Sequence, residues 1–415
     1  MGGLNDFGAC ELAQKIQDHE ITSEALVRDC LDRIGDREQE VHAWQYIDRE
    51  AVLDQARICD SSRAKGALHG VPVGIKDLID TCDMPTRYGS SIYEGHQPTS
   101  DAECVSLLRE AGAVIMGKTV TTEFAAFNPP TTRNPHNFSR TPGGSSSGSA
   151  AAVADRMVPL ALGTQTAGSV IRPAAFCGVV GFKPTFHYFP TTGIKPLSSE
   201  LDTLGVFARS TRDAALVSDC LVRRRPTLSN LNREPISVRL FRGPHWAKID
   251  EPSKAAIEGL RGQLGVEKSP VISQPSIQNF AELADIQHTI MCADMAKSLM
   301  QEFSDHPSEL SKGLRSFIEY GLALDAVKVR EAREIARLAR NEVEKLFGGC
   351  RLLITPSALG EAPRAETTGD PLLNKVWTLL HLPCVTLPVG FGPNGLPLAV
   401  QVVARANDEV ALIGG

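Results

Sequence analysis

Two short stretches of the chain combine residue types and spacings that do chemistry in other proteins. Gly112-Ala113-Val114-Ile115-Met116-Gly117-Lys118-Thr119 satisfies the GxxxxGK[ST] pattern of a phosphate-binding loop, where the lysine reaches phosphates and the threonine hydroxyl a magnesium ion. Its context argues against that use. In a phosphate loop the four intervening residues turn between a strand and a helix, whereas here AVIM has strand character and follows a helical stretch. Gly144-Ser145-Ser146-Ser147-Gly148 satisfies the GxSxG elbow of α/β-hydrolases, with Ser146 as nucleophile. That esterase-type reading needs an Asp and then a His downstream. None of His187, His245, His288, His306 and His381 stands in a context that marks it as catalytic, and a flexible Gly/Ser linker has the same composition. HExxH, dinucleotide GxGxxG and clustered zinc ligands are absent from the sequence, so we expect no cofactor and no metal.

Around these stretches the pattern predicts alternating strands and helices. VPVGIKD, AVIMG, VPLALGTQT and VVGFKPT read as strands, and AECVSLLREAG, AAAVADRM and IRPAAFCG as helices or helix starts. LAQKIQ and EALVRDCLDRI near the N-terminus have helical apolar spacing, with Thr22-Ser23 at a natural N-cap. From about 223 to 350 the chain is more polar and helical, and FIEYGLALDAVKVREAREIARLARNEVEKLF fits one long amphipathic helix or two. RLLITP returns to strand character. Val376 to Ala404 has no charged residue, but Pro383, Pro388, Pro393 and Pro397 divide it into CVTLPVGF and LPLAVQVVA around GPNG, a buried hairpin rather than a membrane span. The expected fold is α/β: a single large domain with a central mixed β-sheet covered by helices on both faces. Along the chain it divides into an N-terminal helical layer (1–65), a catalytic core (66–222), a variable helical region (223–350) and C-terminal strands completing the sheet (351–415).

The composition of the 415 residues is that of a globular chain, with 42% hydrophobic and 22% charged residues. Forty-three Lys+Arg against 49 Asp+Glu give a net charge of −6, which offers no electrostatic footprint for nucleic acid. The ten cysteines are scattered without a CxxC pair and read as reduced thiols. Asp6, Glu11, Lys15, Asp18 and Glu20 interrupt the first twenty residues, so no signal-type apolar run is present and a cytoplasmic location is expected.

Taken together, GVPVGIKD, GGSSSGSA (143–150) and GTQTAGSVIRPAA resemble the amidase signature family. LREAGAVIMGKTVTTEFA, NPHNFSRTPGGSSSGSAAAVA, GFKPT, LDTLG, LLITP and LPLAVQVVARANDE resemble further family segments, over roughly residues 10–222 and 350–415. The resemblance implies a catalytic set of Lys76, Ser145 and Ser169, with the Gly144–Ser145 peptide cis. Lys76 lies 69 positions before Ser145, and Ser169 lies 24 after it. In this scheme neutral Lys76 is the base, Ser145 relays a proton, and Ser169 attacks the amide carbonyl to form an acyl-enzyme. A free lysine titrates near about 10.4, so burial beside Val73, Ile75 and Leu78 has to bring it toward roughly 7 to 8.

The turn Thr166-Ala167-Gly168 before Ser169 is the implied oxyanion hole. Here Ala167 replaces the first of the two glycines usual in the family. Alanine fits if the backbone angle is negative; at positive φ it carries about 1 kcal/mol of strain or more. Gly144 and Arg172 are the implied substrate-binding residues. Arg172 stands three residues after Ser169, as in the malonamidase branch, where this arginine clamps a substrate carboxylate; a salt bridge within the core is the other reading. The resemblance thus implies an amidohydrolase acting on a small, carboxylate-bearing linear amide, with a homodimer as the assembly. The alternative within the family is a protein like the ammonia-releasing subunit of a glutamine-dependent amidotransferase, which works bound to partners.

Overall fold

Strands covered on both faces read as near-continuous apolar runs, and that is the texture of VPVGIK, VIMGKT and LALGTQ. The computed structural model describes residues 3–222, 236–264, 271–273, 275–277 and 279–414. The described strands are β1 (Trp44–Tyr46), β2 (Pro72–Lys76), β3 (Val114–Thr119), β4 (Leu160–Gln165), β5 (Val180–Lys183), β6 (Thr203–Ala208), β7 (Val238–Leu240), β8 (Leu352–Pro356), β9 (Cys384–Phe391) and β10 (Pro397–Ala404). They form one sheet in the order β1-β3-β2-β4-β6-β5-β9-β10-β8-β7. β2 is parallel to β3 and β4, β7 is parallel to β8, and the remaining pairs are antiparallel.

Successive side chains on a strand point to opposite faces, and the cores follow that alternation. Leu352 and Ile354 of β8 and Val400 and Val402 of β10 join one hydrophobic core, while Leu353 and Val403 join another. The mixed sheet is therefore covered on both sides, and the chain is a single α/β unit as the sequence predicts. The hairpin is β9 and β10, joined antiparallel, and among the described residues no helix is long and apolar enough to cross a membrane.

Several local expectations hold. Thr22 caps the helix Ser23–Val41, its hydroxyl oxygen accepting from Ala25 N at 3.1 Å. The long amphipathic stretch forms two main helices, Lys312–Ala323 and Ala326–Asn341, because Asp325 breaks the run and caps the second through Val327 N. Two edge strands depart from the expectation. β1 lies within the predicted N-terminal helical layer and β7 within the predicted helical region 223–350; each has only three residues, too few for alternation to register. Residues 223–235 and 265–270 of that region lie outside the described residues.

The phosphate-loop pattern resolves as expected from its context. Val114 to Thr119 is β3 itself, preceded by the helix Glu103–Glu110. Lys118 is fully buried, donates to Ile79 O at 2.6 Å and Thr86 Oγ1 at 2.5 Å, and lies 3.6 Å from the equally buried Asp77. Asp77 also accepts from Arg87 N at 3.2 Å, so it braces the loop after Lys76 rather than pairing at the surface.

Candidate active site

Lys76 is the last residue of β2, and β4 runs parallel beside it. Its amine reaches Ser145 Oγ at 2.8 Å and Thr164 Oγ1, on β4, at 2.7 Å. The side chain is fully buried, and burial pulls its pKa down to about 7, with the Asp202 carboxylate acting in the opposite sense. A neutral amine has two N–H groups and one lone pair. If Thr164 takes an N–H, the lone pair is left for the Ser145 hydroxyl proton.

The peptide between Gly144 and Ser145 is cis. Its carbonyl, Gly144 O, accepts from Arg172 Nη2 at 2.7 Å, and the next carbonyl, Ser145 O, accepts from Thr122 N at 3.2 Å. Gly144 is a glycine by close approach, since a Cβ there would sit 2.7 Å from Thr368 Cγ2. The chain then enters the helix Ser147–Ala154, with Ser147 Oγ donating back to Gly143 O at 2.7 Å.

Ser169 lies in the turn between β4 and the helix Ile171–Cys177. Gln165 clasps this turn: its Oε1 accepts from Val170 N and Ile171 N at 2.9 and 3.0 Å, and its Nε2 donates to Thr378 Oγ1 at 3.0 Å. The turn's carbonyls are held from outside, Thr166 O by Gln287 Nε2 and Ala167 O by Thr378 Oγ1, each at 2.9 Å. The N–H groups of Ala167, Gly168 and Ser169 donate to no acceptor among the described residues. Ala167 does not have positive φ, so alanine is unstrained where the family has glycine. Gly168 is required by space instead, because a Cβ would meet Asn374 Oδ1 at 2.5 Å.

The fold thus brings Lys76, Ser145, Ser169, Gly144, Arg172 and the Thr166–Gly168 turn to one centre. Lys76 is bonded to Ser145, whereas the Ser169 hydroxyl makes no hydrogen bond among the described residues. Arg172 is not salt-bridged in the core, since no carboxylate of the described residues lies within 4.0 Å of it. Ser146 is excluded as an elbow nucleophile. It is fully buried, its hydroxyl donates to Thr164 O at 3.2 Å, and no histidine is bonded to it. His136 and Arg140, in the loop before the glycines, bond the carbonyls of Cys177 and Ala362.

Thr164, Asp202, Gln287, Asn374 and Thr378 were not singled out from the sequence. For Asp202 the signal was the LDTLG segment; it accepts from Thr166 Oγ1 at 2.5 Å and from Leu197 N and Ser198 N at 2.8 and 2.9 Å. A cavity of about 240 Å³ borders Thr164, Thr166 and Asp202. Asp202→Asn removes the negative charge that favours the Lys76 ammonium. The acid limb of kcat/KM against pH is therefore expected to move down by about 0.5 to 1 unit. An unmoved or rising limb would show that Asp202 does not act on Lys76. Away from this centre, Cys82, Asp83 and Asp101 come together at the surface, a grouping the sequence did not reveal. Arg109 already bonds both carboxylates, at 2.7 and 2.9 Å.

Comparison with known proteins matches this arrangement to one family. The Amidase family model aligns with residues 25–413. The chain is 30% identical to a glutamyl-tRNA(Gln) amidotransferase subunit from Natranaerobius thermophilus, over 99% of this chain and 94% of that protein. Among solved structures it resembles a crystal structure of an amidase, with TM-score 0.89 and 27% identity over 98% of each chain. It also resembles a chain from a vestigial protein complex linked to the origins of an s-triazine catabolic enzyme, with TM-score 0.90 and 25% identity over 98% of this chain and 96% of that one. A match that spans almost the whole chain, the same fold and a buried lysine bonded to a cis-peptide serine agree: the chain belongs to the amidase family.

Proposed function

We propose that the chain hydrolyses the C–N bond of a small amide bearing a carboxylate, through an acyl-enzyme on Ser169. Neutral Lys76 takes the Ser145 proton as Ser145 takes that of Ser169, and Ser169 Oγ adds to the amide carbonyl. The free N–H groups of the 167–169 turn stabilise the oxyanion. As the tetrahedral intermediate collapses, the proton passes back through Ser145 to the leaving nitrogen, and ammonia departs. Water then repeats the sequence on the ester and frees the acid. The reading requires no cofactor, and we take the assembly as a cytoplasmic homodimer, which sedimentation of the purified protein tests.

The observation carrying the acid-amide reading is Arg172. It is 1% exposed, and only its Nη2 is spent, on Gly144 O and, at 3.4 Å, Thr368 Oγ1; its Nε and Nη1 are buried without partners. Burial lowers its pKa to about 10, so it remains charged at neutral pH. A buried guanidinium with unspent donors, and with no carboxylate of the described residues within 4.0 Å, is costly unless an anion completes it. A second reading, the ammonia-releasing subunit of a glutamine-dependent amidotransferase, is supported by the name of the relative from Natranaerobius thermophilus. Glutamine is also a primary amide with a carboxylate, so the two readings differ mainly in partner.

The test is ammonia release from malonamate, succinamate, a carboxylated urea, neutral amides and glutamine, with Ser169→Ala as the blank. Preference for the carboxylated amides is expected. Arg172→Ala should reduce it by about 10² or more, the cost of removing a buried charge-assisted contact. Preference for neutral amides would overturn the acid-amide reading. Glutamine hydrolysis that rises on adding partner subunits would favour the second reading.

A further inference from the structure

Gln287, on the helix Leu283–Ser298, holds the first carbonyl of the nucleophile turn, Thr166 O. Asp294 stands seven positions further along the same helix, about two turns on, so the two side chains share a face. Asp294 is almost fully buried, and its two oxygens are bonded to different elements. Oδ2 accepts from Ser198 Oγ at 2.7 Å, and Oδ1 accepts from Arg333 Nη2 at 2.7 Å. Arg333 belongs to the helix Ala326–Asn341, and its Nε donates to Glu200, in the same loop as Ser198.

That loop leads to the turn. Asp202 Oδ2 accepts from Leu197 N and Ser198 N, and Asp202 N donates back to Ser198 O at 2.9 Å, so Ser198 and Asp202 are tied through both backbone and side chain. Asp202 Oδ1 then accepts from Thr166 Oγ1. Thr166 is thus gripped twice from one helix: at its carbonyl directly by Gln287, and at its hydroxyl through Asp202, Ser198 and Asp294. A carboxylate as buried as Asp294 is costly without charged and hydrogen-bonding partners, and Arg333 and Ser198 supply them. Parting the loop from the helix would leave that carboxylate short of a donor. We propose that Asp294, held by Arg333, is a positioning residue for the nucleophile turn, setting the place of Thr166 and of the N–H groups after it through Ser198 and Asp202. The proposal rests on the acyl-enzyme reading at Ser169 and not on which amide is cut. A displacement of about 1 Å at such a turn costs up to about 10²-fold in rate.

The test measures the rate at which a fluorophosphonate attaches to Ser169, which needs no knowledge of the amide, beside kcat and KM for the best substrate, all per labelled site. Asp294→Ala and Ser198→Ala cut the chain at neighbouring links. The second leaves the Asp294–Arg333 pair intact, so the test stands even where loss of the buried carboxylate prevents folding. Each is expected to lower the labelling rate and kcat about tenfold, with KM within about threefold, and Thr166→Val to do the same. Adding Ser198→Ala to Thr166→Val should cost no more than about a further twofold, because both break one path. A Ser198→Ala variant that melts earlier but labels and turns over at the wild-type rate would assign the network to packing and overturn the proposal. Losses that multiply in the double variant would overturn it as well. Wild type left unlabelled at Ser169 would overturn the acyl-enzyme reading itself. Wild type labelled there but inactive on carboxylated amides would overturn only the acid-amide reading, and the labelling rates would still decide the role of Asp294.

Discussion

Ser169→Ala is expected to lower amide hydrolysis by at least about 10³-fold in kcat, and to abolish labelling by a fluorophosphonate. The size of the effect follows from the lack of a substitute nucleophile. Ser145 Oγ is committed to Lys76, Ser146 Oγ to Thr164 O, and Ser147 Oγ to Gly143 O. Among the described residues, Ser169 has a hydroxyl without a hydrogen-bond partner and a turn whose N–H groups are unspent. Activity within tenfold of wild type, or label recovered on Ser146, would remove Ser169 from the mechanism.

Lys76→Met is expected to cost a further loss of the same order, about 10³-fold, because methionine fills much of the same volume without a proton acceptor. The pH profile separates this from mere disruption. Lys76 is a base only when neutral, and its pKa stands near 7. Wild-type kcat/KM should therefore rise with pH through about 7 and level off above it, while the residual rate of Lys76→Met should lack that limb. The variant should fold well at acid pH, where the wild type must carry a buried ammonium and the methionine does not. A few-fold loss, or an unchanged acid limb, would exclude Lys76 as the base.

The segments of the candidate site were legible because each is local: VGIKD, GGSSSG and TAGSV are each recognisable from a few adjacent residues. The sheet was legible because β2, β3 and β4 are buried on both faces and read as apolar runs. What escaped the sequence is tertiary. Thr164 is one threonine among many until β4 pairs with β2 and places it 2.7 Å from the Lys76 amine. Thr378 and Asn374 sit in an ordinary amphipathic helix, and nothing in their own segment marks them as props of a turn two hundred residues away. The GxSxG and GxxxxGK[ST] matches err in the opposite direction. Ser146 and Lys118 fit patterns of short range, but both are sealed in the core by carbonyl and hydroxyl partners that no short pattern contains.

The props of the nucleophile turn reach it from far along the chain: Thr378 lies 211 residues from Ala167, and Gln287 lies 121 from Thr166. Contacts of such separation must meet the entropy of closing long loops before they stabilise anything, so they belong to the slow, late part of assembly. A nascent chain therefore carries Lys76, Ser145 and Ser169 well before the 166–169 turn has its props. The shape of the 166–169 turn is therefore completed only when segments from the second half of the chain dock on it.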